Sequence, residues 1–259
     1  MPPLGVLVGV IGLWYTITYL VLEPHRRFLL RAPHEVVAVG FADRDNLSEI
    51  IEGAWLTAQV AALGLVLAVA IGVGVAVLMS RAPWVERSLY PYAVALQAVP
   101  ILAIVPLIAL WFGYGFGARV VVCVIISLFP IIANTLFGLL SVPPPLHDLF
   151  SLHRASPRDR LWKLQLPHAL PSFFVGVRIS SGLSVVGAIV GDFFFRQGPP
   201  GLGQLIDRYG ARLRSEELIA AIIVASLLGV AAFWLAGWVQ RRVVGHWHHE
   251  FRPVDPSLR

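Results

Sequence analysis

The chain has 259 residues, 57% of them hydrophobic and 14% charged, with a mean hydropathy of +0.76. A soluble domain carries about 25% charged residues, so a soluble fold of this length would lack the polar surface to cover itself, and a polytopic membrane protein is expected. The net charge of +5 does not point to nucleic acid, because the basic residues sit in loops between apolar runs. The single cysteine, Cys123, excludes an intramolecular disulfide and a cysteine-based metal cluster.

Six apolar runs reach the length of about 20 residues that a bilayer requires. They lie near 4–22, 54–79, 91–112, 119–140, 173–194 and 217–239, and predict an all-α protein with six transmembrane helices. Met1-Pro2-Pro3 offers no positive region and no small-residue cleavage site follows the first run, so a retained helix is expected, with a cleaved signal as the alternative. Segment 23–53 is partly amphipathic, and Ala32-Pro33-His34 before Glu35-Val36-Val37 reads as the start of a short surface helix. The third run is interrupted by Pro100 and Pro106 and the fourth by Pro130. Such prolines kink membrane helices where neighbours or a cavity satisfy the freed carbonyls.

Six spans put both termini on one side. Loops 80–90, 141–178 and 241–259 carry an excess of arginine over acid, whereas the alternate loops balance, so both termini are expected in the cytoplasm. The resulting division is 1–53 as a first helix with an extracytoplasmic segment, 54–240 as the transmembrane core, and 241–259 as a cytoplasmic tail. His246, His248 and His249 in that tail read as solvated rather than metal-binding.

Between the fourth and fifth spans lies a basic, proline-punctuated island, about 141–172. Pro143-Pro144-Pro145 stops the fourth span. Ser156-Pro157 is a helix start, with serine as N-cap, proline at the first helical position and Asp159 in the first turn. A short helix over 146–154 and a second over 157–165 are expected, the second carrying Leu161 and Leu164 on one face and closed by Pro167 and Pro171. Two short helices projecting from the membrane would form a knob suited to a partner's cleft, able to pass a rigid-body push to the flanking spans. A solvated connector that merely sets orientation is the bland alternative.

The spacing of this island resembles the cytoplasmic signature loop of permease subunits of bacterial ABC importers. That loop reads Glu-Ala-Ala, then Gly, nine residues, Ile, one residue and Leu-Pro. Asp148 stands at the Glu position, Phe150 at a following Ala, Arg154 at the Gly, Leu164 at the Ile, and Leu166-Pro167 closes the pattern; Ala155-Ser156 is retained. Gln97-Ala-Val-Pro100, Pro106 to Gly113, Phe129-Pro130 to Gly138, Gly187 to Phe193 and Gly201-Leu202-Gly203 are similar to the nitrate, sulfonate and taurine branch, which also includes thiamine-precursor pyrimidine and riboflavin permeases. The resemblance implies the type I importer permease fold, with the loop docking onto a separate ATPase. It further implies a second permease copy, identical or different, two ATPase subunits that hold ATP and Mg, and an extracytoplasmic solute-binding protein. No cofactor is expected on this chain. Asp148, Phe150 and Arg154 depart from the pattern, so the contact need not match the family's in detail.

Asp192 is the acid placed within a span, where a charge costs about 2.5–3.5 kcal/mol at mid-bilayer. Ser181, Ser184, Ala188 and Asp192 share one helical face. That face reads either as a polar pathway or as a packing face, since Gly187-x-x-x-Gly191 is a packing pattern. Gln97 and Asn134 read either as pathway groups or as partners for carbonyls freed by the prolines. Trp111, Phe112 and Tyr114 read as interfacial aromatics, and Phe193 to Phe195 as an outer gate or an anchor.

The chain has no Gly-x-x-x-x-Gly-Lys-Ser/Thr loop and is not expected to be the ATPase or an enzyme. An intramembrane protease would need paired catalytic groups within spans. An ion-driven transporter or channel, the alternative reading, would show several intramembrane charges or inverted repeats. With no basic residue placed inside a span, a neutral or aromatic solute is slightly favoured over a small anion such as a sulfonate, taurine or nitrate.

Overall fold

A computed structural model describes residues 2–245, with side chains from Leu4 onward. Tail residues His246, His248 and His249 lie outside the described residues. Among the described residues every regular element is helical.

Helix α1 (Pro2–Thr16) widens into a π turn over Ile17–Val21 and is exposed on almost every face. It is tethered at its outer end, where Trp14 Nε1 donates to the Arg31 carbonyl at 3.0 Å. Helix α2 (Pro33–Val36) begins on Pro33, and Glu35 reaches back to the Ala32 amide. Its Val36 is buried in a cluster with Tyr209 and Ala220, so the expected surface helix is docked on the bundle.

Helix α3 (Arg44–Ser80) starts where the Asp43 carboxylate accepts from the amides of Asp45 and Asn46. At 37 residues it is about 55 Å long. That exceeds the hydrocarbon thickness of about 30 Å, and its first turns project outside, running unbroken across 53–54.

The third span is not a single kinked helix. Helices α4 (Pro83–Ala98) and α5 (Ile101–Phe112) meet at a bend of 100°. Pro100 forces Val99 out of the helical region and caps α5, so the chain turns rather than bending gently. Counting this pair as one, the described residues hold up to six candidate spans.

The core is the antiparallel pair of α6 (Phe116–Leu140) and α9 (Leu166–Phe194), backed by α3 and α11 (Ser215–Val244). Small residues set the separation. A Cβ on Gly187 would sit 2.9 Å from the Cys123 Cα, one on Gly191 3.1 Å from the Arg119 Cα, and one on Gly138 2.8 Å from the Ala169 Cα. In lipid no hydrophobic force drives helices together, so van der Waals contact of this closeness supplies the attraction. Ser180 Oγ donates to the Ser127 carbonyl at 2.7 Å, and Ser127 Oγ returns a bond to the Ser180 carbonyl at 3.4 Å. Cys123 is wedged between Gly64 of α3 and Gly187 of α9, fully buried.

Helix α7 (Pro144–Leu152) and helix α8 (Pro157–Arg160) follow α6. Contrary to expectation, Pro167 and Pro171 do not end the second helix. The chain stays helical from Pro157 to Phe194, through a π turn at Leu161–Gln165. The wider turn relaxes the ladder just where Pro167 lacks an amide hydrogen. Beyond α9, helix α10 (Leu202–Ala211) lies at the end of the bundle away from α7 and α8.

Candidate functional site

The projecting segment between α6 and α9 is built by local rules. Pro143 ends the approach from α6, and Pro144 and Pro145 occupy the first positions of α7. Helix α7 ends in a Schellman motif. The Ala155 amide donates to the Phe150 carbonyl at 3.0 Å and the Arg154 amide to the Ser151 carbonyl at 2.9 Å. That motif requires a left-handed residue after the cap, and Arg154 fills it at φ 49°. The glycine of the resembled pattern therefore falls on a position whose backbone favours glycine, and Arg154 adopts it at a cost of roughly 1–2 kcal/mol.

The next helix starts as read from sequence. Ser156 Oγ accepts from the Asp159 amide at 3.1 Å and donates to Asp159 Oδ2 at 2.6 Å. Asp159 also pairs with Lys163 at 2.7 Å. The Lys163 ammonium, then the Ser156 hydroxyl, hold the Asp159 carboxyl below its ordinary range. This contribution is therefore present at neutral pH and is lost only as pH falls through that lowered value. Arg160 Nη2 donates to Ser151 Oγ at 2.9 Å and ties the two helices together.

The result is a rigid corner with a cleft of about 570 Å³, lined by Phe150, His153, Arg154, Ala155, Ser156 and Lys163 among others. Asp148, Leu149 and Leu152 are exposed on α7, Leu152 at 81%. Leu161 packs inward against α3 and α6, and Leu164 is buried. Leu166 and Pro167 are half-buried at the start of α9. Phe150, Arg154, Ala155 and Ser156 thus converge on one cleft, whereas Leu164, Leu166 and Pro167 seat the corner on the bundle.

The pathway candidates do not converge. Gln97 is exposed beside the α4–α5 bend and lines a cavity of about 370 Å³ with Ile101, Ile126, Phe129, Pro130 and Leu183. Asn134 Nδ2 donates to the Pro130 carbonyl at 2.8 Å, and its Cβ meets Gly176 of α9. Ser181 and Ser184 are buried, their hydroxyls donating to the carbonyls of Arg178 and Ser181. They face a separate apolar cavity between α3, α9 and α11.

Asp192 is 2% exposed and pairs at 2.8 Å with Arg119, also 2% exposed. The expectation that the spans hold no basic residue is corrected here, because Arg119 lies within α6 and Arg178 within α9. Arg119 also donates to the carbonyls of Phe195, Gln197 and Pro199. Asp192 Oδ2 accepts from the Gln204 amide at 3.0 Å, in the first turn of α10. The pair therefore ties α6, α9, the 195–200 loop and α10 into one plate at the end of the bundle away from α7. Thr57 Oγ1 joins by accepting from the Leu202 amide. Gly201 must lack a side chain, since a Cβ would sit 2.5 Å from Asp192 Oδ2.

Sequence reasoning missed a second cluster at that end of the bundle. Glu49 accepts from Arg208 and from Tyr209 at 2.6 Å each, and Arg214 bridges Asn46 and Glu217. Burial, then the Glu49 carboxylate, pushes the Tyr209 hydroxyl well above the ordinary phenol range. Among the described residues no group of three His, Cys, Asp or Glu is placed to hold a metal.

The family described as "binding-protein-dependent transport system inner membrane component" matches residues 64–245. The chain is 35% identical to the formylaminopyrimidine transport permease protein ThiX of Halalkalibacterium halodurans, over 80% of this chain and 81% of that one. It is 33% identical to a probable ABC transporter permease protein of Haemophilus influenzae, over 82% and 87%. Its fold is similar to that of the MetNI methionine ABC transporter in an inward-facing conformation. There the TM-score is 0.68 at 18% identity, over 78% of this chain and 99% of that chain.

Proposed function

The chain belongs to the family of binding-protein-dependent transport system inner membrane components, as a multi-pass permease subunit of an ABC importer, and we propose that the corner at 144–165 is where its separate ATPase docks. The observation that carries the proposal is the cleft formed by Phe150, Arg154, Ala155 and Ser156 on a corner braced by Arg160 and Ser151. Asp148 and Phe150 on α7 meet the ATPase directly. Leu164, Leu166 and Pro167 transmit its motion into α9, because the helix runs unbroken to Phe194. ATP and Mg act on that partner. The excess of arginine on this side supports a cytoplasmic corner and cytoplasmic termini.

The permease works as one of a pair, alternating access around the cavity beside Gln97, with solute delivered by an extracytoplasmic binding protein. Of the five pathway candidates, Gln97 borders this path and Asn134 shapes its proline-bearing wall, whereas Ser181, Ser184 and Asp192 hold helices together. The wall is apolar with one amide, and Arg119 is engaged by Asp192 and three carbonyls. A small neutral or aromatic solute, of the pyrimidine class that ThiX is named for, fits this wall better than a sulfonate or nitrate.

Lys163 is the only lysine, so an amine-reactive crosslinker applied to the assembled importer reports this corner. Capture of an ATPase subunit through Lys163 supports docking here. Capture that is unchanged when 148–160 is replaced by a Gly/Ser linker, which leaves Lys163 in place, refutes it. Uptake into vesicles, competed by a pyrimidine or by a sulfonate, decides the solute class.

A further inference from the structure

On the corner's side of the bundle, α9 and α11 enclose a second feature that transport does not use. Arg178 of α9 lies against Gly237 of α11, where a Cβ would come within 3.3 Å of its Nε, and its guanidinium stacks over the Phe233 ring at 4.1 Å. Arg178 Nε is buried and has no hydrogen-bond partner among the described residues. Arg178 and Arg241 line a cavity of about 650 Å³ with Trp234, Leu235, Gly237 and Trp238. Arg242 stacks on Trp238 at 5.0 Å. Among the described residues no carboxylate lies within ion-pair distance of any of these arginines.

The cavity borders a second, more apolar one. Ala231 and Leu235 belong to its wall and also to that of an apolar space of about 440 Å³ reaching between α3, α9 and α11, bounded by Ala58, Leu65, Val177 and Leu228. Trp234 is 70% exposed and Leu235 62% exposed, on a face that a membrane helix turns to lipid. Arg178 lies 14 positions before Asp192, about 21 Å along the helix at 1.5 Å per residue. That puts the arginines near one membrane interface and the Asp192 plate near the other. Cations, interfacial tryptophans and an adjoining apolar slot match the two halves of one amphiphile.

We propose that the α9–α11 groove is a binding site for an anionic phospholipid, its phosphate held by Arg178 and Arg241 and one acyl chain lying in the apolar space. Charge complementarity commits the groove to this occupant. Arg178, half-buried, and Arg241, exposed, have no carboxylate partner among the described residues; a phosphodiester matches them, and a zwitterionic headgroup would leave its own cation against them. The site is independent of ATPase docking and binds lipid whether or not the corner is engaged.

Native mass spectrometry of the full chain in detergent, titrated with phosphatidylglycerol or with phosphatidylcholine of the same acyl chains, tests this. Wild type is expected to retain phosphatidylglycerol preferentially. R178Q/R241Q should weaken it by about thirty-fold, each arginine contributing roughly a factor of five. Control R26Q/R44Q removes the same charge from the other side and should retain the lipid. A231F keeps both arginines but fills the shared wall, and should weaken lipid several-fold. Should R178Q/R241Q fail to fold, R241Q alone, on the exposed end of α11, should still weaken the lipid by about five-fold. Equal retention of the two lipids, or unchanged retention in the arginine variants, overturns the proposal. Displacement by inorganic phosphate with A231F unaffected also overturns it, leaving a free-anion site.

Discussion

The Arg119–Asp192 pair offers a quantitative test of what the end of the bundle away from α7 is for. Asp192→Asn keeps an acceptor for the Gln204 amide but leaves the Arg119 guanidinium, 2% exposed, without its counter-charge. Breaking one partner of a buried pair costs about 3–5 kcal/mol, much of it the penalty of the charge left behind. The three carbonyls that also hold Arg119 soften this, so about 3 kcal/mol is expected for Asp192→Asn. Arg119→Met removes those three bonds as well and should cost about 4 kcal/mol. In the double variant neither charge is stranded, and the loss should fall about 2 kcal/mol short of the sum. The buried thiol of Cys123 supplies the assay, because a thiol-reactive dye reaches it only when α3, α6 and α9 separate. At roughly 2–4 °C per kcal/mol, the single variants should lower the unfolding midpoint by about 6–16 °C. If Asp192→Asn leaves the midpoint unmoved and instead raises the KM for solute, the carboxylate serves the pathway and the packing argument fails.

Further outcomes follow from the same geometry. Arg154→Gly relieves the left-handed strain at φ 49° and should stabilise the corner by about 1 kcal/mol, read as slower amide exchange at position 154 and at Ala155; faster exchange would refute the strain. Gly201→Ala drives a methyl against Asp192 and Thr57 and should cost about 1–3 kcal/mol in the dye assay, with unchanged stability counting against the close approach. Asp159→Asn frees Lys163, so amine labelling at that single site should speed up several-fold at neutral pH; the same rate would mean that the pair does not form in solution. Ser180→Ala should cost about 0.6 kcal/mol, the mean for an interhelical hydrogen bond in a membrane, and a cost above 2 kcal/mol would show a larger role for the serine pair.

Much of this protein was legible in the sequence because the relevant physics is local. Hydropathy marks the spans, since each must satisfy its own backbone within lipid. Pro143 to Pro145 and the Ser156-Pro157-x-Asp159 start fix the corner, since caps and prolines act within one turn. The Gly187-x-x-x-Gly191 packing pattern was also readable, though not what it packs on, which is Cys123 and Arg119.

Only the tertiary structure decided features that depend on distant partners. Arg119 and Asp192 look like unrelated loop and span charges until the fold brings together segments 76 positions apart, as the Arg119–Phe195 bond does. Hydropathy scores the 83–112 stretch as apolar without knowing that Val99 and Pro100 turn the chain through 100°. Spacing predicted that Pro167 would stop a helix, whereas a π turn and burial of Leu161 and Leu164 against the bundle carry the helix through. The lipid groove is the extreme case. Arg178 and Arg241 belong to different helices, and only their antiparallel packing at Gly237 puts two cations and an apolar slot in one place, because charges separated in sequence become a site only when packing fixes their distance.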